Sequence, residues 1–369
     1  MNIETQEPFY KKTTTILVGL TVAVYILYML ADFLVPLAFS GLFAVLLNPL
    51  YSRFLNMRIP QVIAILLTLL LAILVLGAIL YFLSSQIIQF GEMLPVMKEK
   101  FGQILLDLEH WIARTFGLSL EKQAQYINEA ASSNKALVGR TLSGALGLFS
   151  VVFLIPVYIF LLLFYKTLIL NFIYEVFSKE SSESVAGILQ GTKAAIQSYI
   201  VGLLIETFII AIMNSAALLL LGVEYAILLG VLGAILNLIP YIGGIVAILL
   251  PVIIATITTE GYTTQLAIVG AYAVIQFIDN NIIVPRIVSS QVQINALVSI
   301  LAVLLGGSLW GVSGMFLSIP FVAVLKIIFD RIDGLKPWGK LLGDEVPVRL
   351  ITMDWRRKSK PNPDGQPPV

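Results

Sequence analysis

The sequence has no cysteine and a single histidine, His110. Disulfides, thiolate chemistry and histidine-built zinc sites are therefore excluded or unsupported, and no metal site is assigned. Charge is scarce as well: Asp, Glu, Lys and Arg make up 12% of the 369 residues and leave a net charge of +1. That is too little for a soluble surface, and it implies no nucleic-acid partner. HExxH, GxSxG and a glycine-rich phosphate loop are all missing, and no nucleophile has an evident base, so no catalytic residue, enzyme activity or cofactor is expected. Apolar residues fill the chain instead, at 58%. The composition is that of an all-α polytopic membrane protein, whose first partner is the lipid bilayer.

A helix needs about 20 apolar residues to cross the hydrocarbon core. Residues 13–31, 33–51, 60–83, 141–165, 199–221 and 263–283 qualify, giving six full spans. Lys11 and Lys12 resemble the start of a signal peptide, but residues 13–31 are too long for one and carry no small-x-small cleavage site. They read as a retained first helix. Two longer runs, 225–256 and 295–329, are about 50 Å long as single helices and about 22 Å per arm when halved, against a core of about 30 Å. Helical hairpins that dip in and return fit better than eight single crossings, with Gly243 and Gly244, then Gly306 and Gly307, turning the tips.

Lysine and arginine placement orients the chain. With the N-terminus cytoplasmic, Lys11, Lys12, Arg53, Arg58, Lys166, Lys179, Lys193, Arg286 and the basic residues from Lys326 to Lys360 fall inside. Outside remain Lys98, Lys100, Arg114, Lys122, Lys135 and Arg140, all in one long segment. Both termini are expected in the cytoplasm. Five regions follow: 1–83, three helices; 84–140, an extracytoplasmic amphipathic segment lying on the membrane or on a partner subunit; 141–198, a fourth helix and a cytoplasmic connecting helix; 199–329, a transport core; and 330–369, a cytoplasmic tail.

The stretch 228–251 is apolar yet interrupted by Asn237, Pro240, Tyr241, Gly243 and Gly244. Pro240 removes a backbone donor and the two glycines loosen the helix, so polar backbone groups are freed at membrane depth, which is tolerable only inside protein or beside water. Such a break is either a binding site built from half-helices or a kink satisfied by its neighbours. Two carboxylates, Glu206 and Asp279, lie well inside spans that contain no basic residue. Burying a charge there costs roughly 2.5 to 3.5 kcal/mol unless it faces a partner or water, so both acids are functional candidates. Gly202, Glu206 and Asn214 share one side of their helix; Tyr272, Gln276, Asp279 and Asn280 form a stripe on theirs, followed by Asn281 and Pro285. The alternative is that each acid caps free N–H groups of a hairpin half-helix.

Residues 199–256 and 263–329 repeat one order, an acid-bearing span and then a broken hairpin, with the two spans running in opposite directions. Such inverted repeats organise many secondary transporters. At NLIPYIGG (237–244), QFIDNNIIVP (276–285) and LLGGSLWGVSGMFLSIPF (304–321) the sequence resembles the AI-2E family of bacterial membrane proteins, also described as autoinducer-2 exporter-like permeases. The family often has proline where this chain has Gly244, and a His-Pro pair where it has Asn295 and Ala296. The resemblance implies export of a small polar signal such as autoinducer-2, or exchange of sodium or lithium for protons. It also implies a place in the bacterial cytoplasmic (inner) membrane and homo-oligomers, pentamers among them. The expected function is a secondary transporter or exporter of a small polar solute or monovalent cation, coupled to protons or sodium; a non-transporting membrane scaffold and a passive pore are the alternatives.

Overall fold

The computed structural model describes residues 9–116, 153–176, 182–239, 243–259, 261–287 and 294–344, and all regular structure among them is helical. Among the described residues five helices are long and apolar enough to cross a membrane by length and composition, or six if one bent pair is taken as a single span, and the last of the five, Ala296–Arg331, is interrupted at Trp310 and Gly311. The protein is an all-α polytopic membrane protein.

Helix α1 (Phe9–Met29) and α2 (Ala31–Asn56) are parted by Leu30 alone. The Leu30 amide donates to the Ile26 carbonyl at 2.9 Å and its own carbonyl accepts from Leu34 at 2.9 Å, so the chain bends there without a loop. Pro36 and Pro49 lie inside α2. Helix α3 (Gln61–Phe116) is 56 residues long, about 84 Å at 1.5 Å per residue, and runs unbroken past residue 83. Its extension leans on the protein: Phe90 meets Tyr225 edge to face at 5.5 Å, and Lys100 Nζ donates to the Ile257 carbonyl at 2.7 Å.

Helix α4 (Phe153–Phe164) is the described part of the span expected at 141–165, and it turns by 62° into α5 (Lys166–Val176). The bend brings Lys166 Nζ to Asn48 Oδ1 at 2.8 Å, while Ile159 and Leu163 pack with Ala64 and Ile65 of α3. Helix α6 (Ser182–Leu220) joins the end of the expected cytoplasmic connection to the fifth span without interruption. Its first turns carry Gly187, against which the Arg331 guanidinium presses, and Gly191, beside Ile327.

Two short helices follow, α7 (Ala226–Asn237) and α8 (Gly243–Thr258), of 12 and 16 residues, or about 18 and 24 Å. Neither alone matches a core of about 30 Å. They run antiparallel: a Cβ on Gly233 would stand 3.3 Å from that of Ala247, and Ala226 and Leu229 share a core with Ile254 and Ala255. This is the first hairpin. Gly243 and Gly244, expected to turn the tip, lie in the first turn of α8, and the residues between the two arms, 240–242, lie outside the described residues. Gly243 is needed for a close approach, since any side chain there would strike the Leu236 carbonyl.

Helix α9 (Thr263–Ile278) continues through a π turn, Asp279–Ile283, into Val284–Ile287. Helix α10 (Ala296–Arg331) is a second hairpin. Trp310 (φ −134°, ψ 22°) and Gly311 (φ 60°, ψ −142°) interrupt it, and a Cβ on Gly306 would strike the Gly314 carbonyl. Residues eight apart on a continuous helix are separated by about 12 Å, so the chain has folded back. The expectation that Gly306 and Gly307 turn this tip is corrected: Gly311 does, because its φ/ψ region is essentially reserved for glycine. Gly306 and Gly314 instead let the arms touch, as small residues do between membrane helices. The tip is tied to α1 by Trp310 Nε1, which donates to the Leu27 carbonyl at 3.0 Å. Asn295 caps α10 through Val298 N at 2.9 Å and donates to the Leu341 carbonyl at 2.7 Å, at the end of α11 (Lys336–Leu342).

Single cysteines placed at Glu224 and Tyr262 of this cysteine-free chain flank the first hairpin and are expected to react with an impermeant thiol reagent from the same face of the membrane. Reaction from opposite faces would mean one crossing. For the second hairpin, Gly306→Ala is expected to cost about 1 to 3 kcal/mol through overpacking. Gly270→Ala, where nothing lies within 4 Å of the new methyl, serves as the control. Equal thermal midpoints for the two variants would show that the arms do not meet at Gly306.

Candidate functional site at the first hairpin tip

A hairpin begins and ends on one side, so the helices before and after it, α6 and α9, run in opposite directions. The first hairpin is clamped between them. Gly230 of α7 lies against Ser215 of α6, where a Cβ would collide with the serine, and a Cβ on Gly233 would be 3.4 Å from Asn214 Nδ2. On the other side, a Cβ on Gly244 of α8 would be 2.9 Å from Gln276 Oε1 of α9. Small residues thus bring the tip between the two acid-bearing helices.

Below the tip is a cavity of about 620 Å³, walled by α6, α9 and both hairpins. Glu206, Asn237, Gly244, Gln276, Asp279 and Asn280 all line it, joined by Tyr199, Ser299, Val303 and Ile319. Glu206 is 8% exposed and Asp279 2%. Asp279 Oδ2 accepts from Asn237 Nδ2 at 3.2 Å and, at 3.4 Å, from Gln276 Nε2, which also lies 3.3 Å from Asn280 Oδ1. Among the described residues these contacts come from side-chain amides and none comes from a backbone N–H group. The ion pairs among the described residues are Lys326–Asp330 and Lys336–Asp333, both in the C-terminal part of the chain. Neither membrane acid has a basic partner among the described residues.

A second, smaller cavity of about 10 Å³ lies between the hairpin and the same two helices, and Asn214, Asn237, Tyr272 and Asp279 are among its walls. The other expected residues fall elsewhere. Asn281 is exposed and donates to the Phe277 carbonyl at 2.8 Å, Pro285 is exposed, and Gly306 and Gly307 sit where the arms of the second hairpin cross. Gly243 is buried at the start of α8. Pro240 and Tyr241 lie outside the described residues.

Two features escape the sequence reading. Tyr199 precedes Glu206 by seven residues, two helical turns, and so shares its face. Tyr272 precedes Asp279 by the same seven, so each repeat carries a tyrosine two turns before its acid. That spacing is the signal that could have found Tyr199. The π turn that begins at Asp279 leaves no such trace in the sequence, and single π turns are frequent at functional sites.

The description AI-2E family transporter matches residues 15–334. Among similar proteins, the AI-2 transport protein TqsA of Escherichia coli (strain K12) is 28% identical over 316 residues, spanning 85% of this chain and 90% of TqsA. YhhT of the same organism is 26% identical over 323 residues (86% and 90%), and YrrI of Bacillus subtilis (strain 168) is 26% identical over 306 residues (80% and 85%). Both are named as candidate transport proteins. A match across most of the chain places the identity at the level of the family: the protein belongs to the AI-2E family transporters and is a multi-pass membrane transporter.

Proposed function

We propose that the protein is a secondary transporter of a small polar solute of the autoinducer-2 kind or of a monovalent cation, coupled to protons or sodium. Glu206 and Asp279 are its coupling groups, and the two hairpins are its gates. The observation that carries this reading is the cavity itself: two buried acids with no basic partner among the described residues, in a space walled by both hairpins. A buried carboxylate without a fixed cation is neutralised by a mobile one, by a proton or by water. The cavity's volume is within the range of small-molecule sites, and its walls mix amides and acids with aliphatic side chains.

The name of TqsA supports autoinducer-2 as the first solute to test. The charge distribution favours a bacterial inner-membrane location with both termini cytoplasmic. The broad apolar exposure of α1 and α3 is compatible with lipid and with copies of the chain packed side by side as a homo-oligomer.

One observation favours the scaffold reading for one of the acids. Asp279 holds the amides of Asn237 and Gln276, a clasp that fastens the hairpin tip to α9. Transport by purified protein in liposomes separates the two. With autoinducer-2, sodium, lithium and potassium presented with and without a pH gradient, the transporter reading requires flux of at least one of them. Silence across the panel from folded protein would leave the scaffold.

Glu206→Gln is nearly isosteric and removes an uncompensated charge, so its thermal midpoint is expected to hold or rise. Gradient-driven accumulation should fall by about tenfold or more, since one coupling proton or ion is no longer required. Unchanged gradient dependence in the folded variant would make Glu206 structural.

A further inference from the structure

We propose that Asn214, Asn237, Tyr272 and Asp279 form a binding site for one dehydrated monovalent cation of the sodium or lithium class, in the small cavity behind the larger one. The cavity of about 10 Å³ admits one atom-sized occupant. Three oxygens of the residues that wall it, Asn214 Oδ1, Tyr272 Oη and Asp279 Oδ1, are buried and make no hydrogen bond among the described residues. The residues that carry them are 2%, 4% and 2% exposed. Polar atoms so deeply buried are normally paired, because leaving them unpaired costs the whole loss of hydration. Asn237 completes the set: its Nδ2 is turned to Asp279 Oδ2, and its Oδ1 faces Gly244, a wall shared by both cavities.

The donor set fixes the class of occupant. One carboxylate and three neutral oxygens carry a single negative charge, so a monovalent cation makes the site neutral. A divalent ion would leave a buried positive charge, and calcium takes six to eight oxygens. Among the described residues no three of His, Cys, Asp and Glu come together. Water would satisfy the three oxygens, yet it would leave the Asp279 charge without compensation. Hard oxygen ligands exclude a soft ion. The site also joins three helices at one point: α6 through Asn214, α7 of the hairpin through Asn237, and α9 with its π turn through Tyr272 and Asp279. An ion bound there holds the tip against both antiparallel helices.

The proposal gives the transporter reading a named ion site, so it rests on that reading for its purpose but is tested by binding alone. Purified full-length protein is heated in N-methylglucamine chloride, with NaCl, LiCl, KCl or CaCl₂ exchanged in at constant ionic strength. A saturable rise in thermal midpoint is expected with sodium or lithium and a smaller one with potassium. Tyr272→Phe removes one oxygen from a well-packed ring and should move half-saturation to about tenfold higher sodium. Asp279→Asn should abolish the response, and Asn281→Ala, in the same π turn but outside both cavities, should retain a saturable one. No difference between sodium and N-methylglucamine, a saturable response to calcium alone, or wild-type sodium responses in Tyr272→Phe and Asp279→Asn would each overturn the site and leave the cavity to water. Sodium binding without any transport in liposomes would overturn the transporter reading while leaving the site intact.

Discussion

A hairpin that stops partway across a bilayer exposes backbone donors and acceptors where lipid offers nothing in return. Everything around the first hairpin answers that constraint. Its arms approach closely because Gly233 and Gly243 lack side chains, and it is pressed against α6 at Gly230 and against α9 at Gly244. The polar groups that meet the tip must therefore come from α6 and α9. Those are the two helices that carry Glu206 and Asp279, and the acids, the amides of Asn237 and Gln276, and the cavity occupy one place for this reason. The polarity at the tip has a simple origin: a segment too short to span is held by packing and side-chain hydrogen bonds instead of by a continuous helical ladder.

Much of this was legible in the sequence because membrane constraints are severe. Apolar runs of 32 and 35 residues, at 225–256 and 295–329, fit neither one span nor two, and the breaks from Asn237 to Gly244 mark a re-entrant segment. Facial periodicity put each acid on a polar stripe of its helix, and only the fold shows the two stripes lining one cavity. Glycine function was less legible. Four glycines fall between 306 and 314, and composition alone does not say which of them bends and which packs. Only the fold shows Gly306 facing Gly314 across Gly311. Helix ends were illegible where polarity changed without a breaker. Residues 84–116 shift from apolar to amphipathic, yet nothing stops the ladder, and Pro95 is absorbed within it, so α3 runs through the boundary.

The two cavities share Asn237, Gly244, Gln276 and Asp279 as walls. An occupant of one therefore acts on the other through side chains common to both, without a chain of intermediates. Such coupling is reciprocal in free energy, whichever site fills first. The tyrosine two turns before each acid makes the repeat chemical as well as topological, but the halves are not equivalent. Asp279 is clasped by amides and opens a π turn, whereas Glu206 accepts no hydrogen bond from the described residues and sits in a regular α-helix. One acid is held in place by protein groups, and the other has no such partner among the described residues.

The bond from Trp310 to the Leu27 carbonyl links the second hairpin to the outermost helix. Helix α1 is otherwise almost wholly exposed along its apolar length. If the tip of the second hairpin swings, it either breaks this bond or carries the end of α1 with it. In the second case a displacement that starts beside the solute is delivered to the rim of the molecule, where lipid or a neighbouring copy would feel it. Leu30, a single residue of bend between α1 and α2, is then the pivot, and the stiffness of that one joint sets how far the motion travels before the protein core absorbs it.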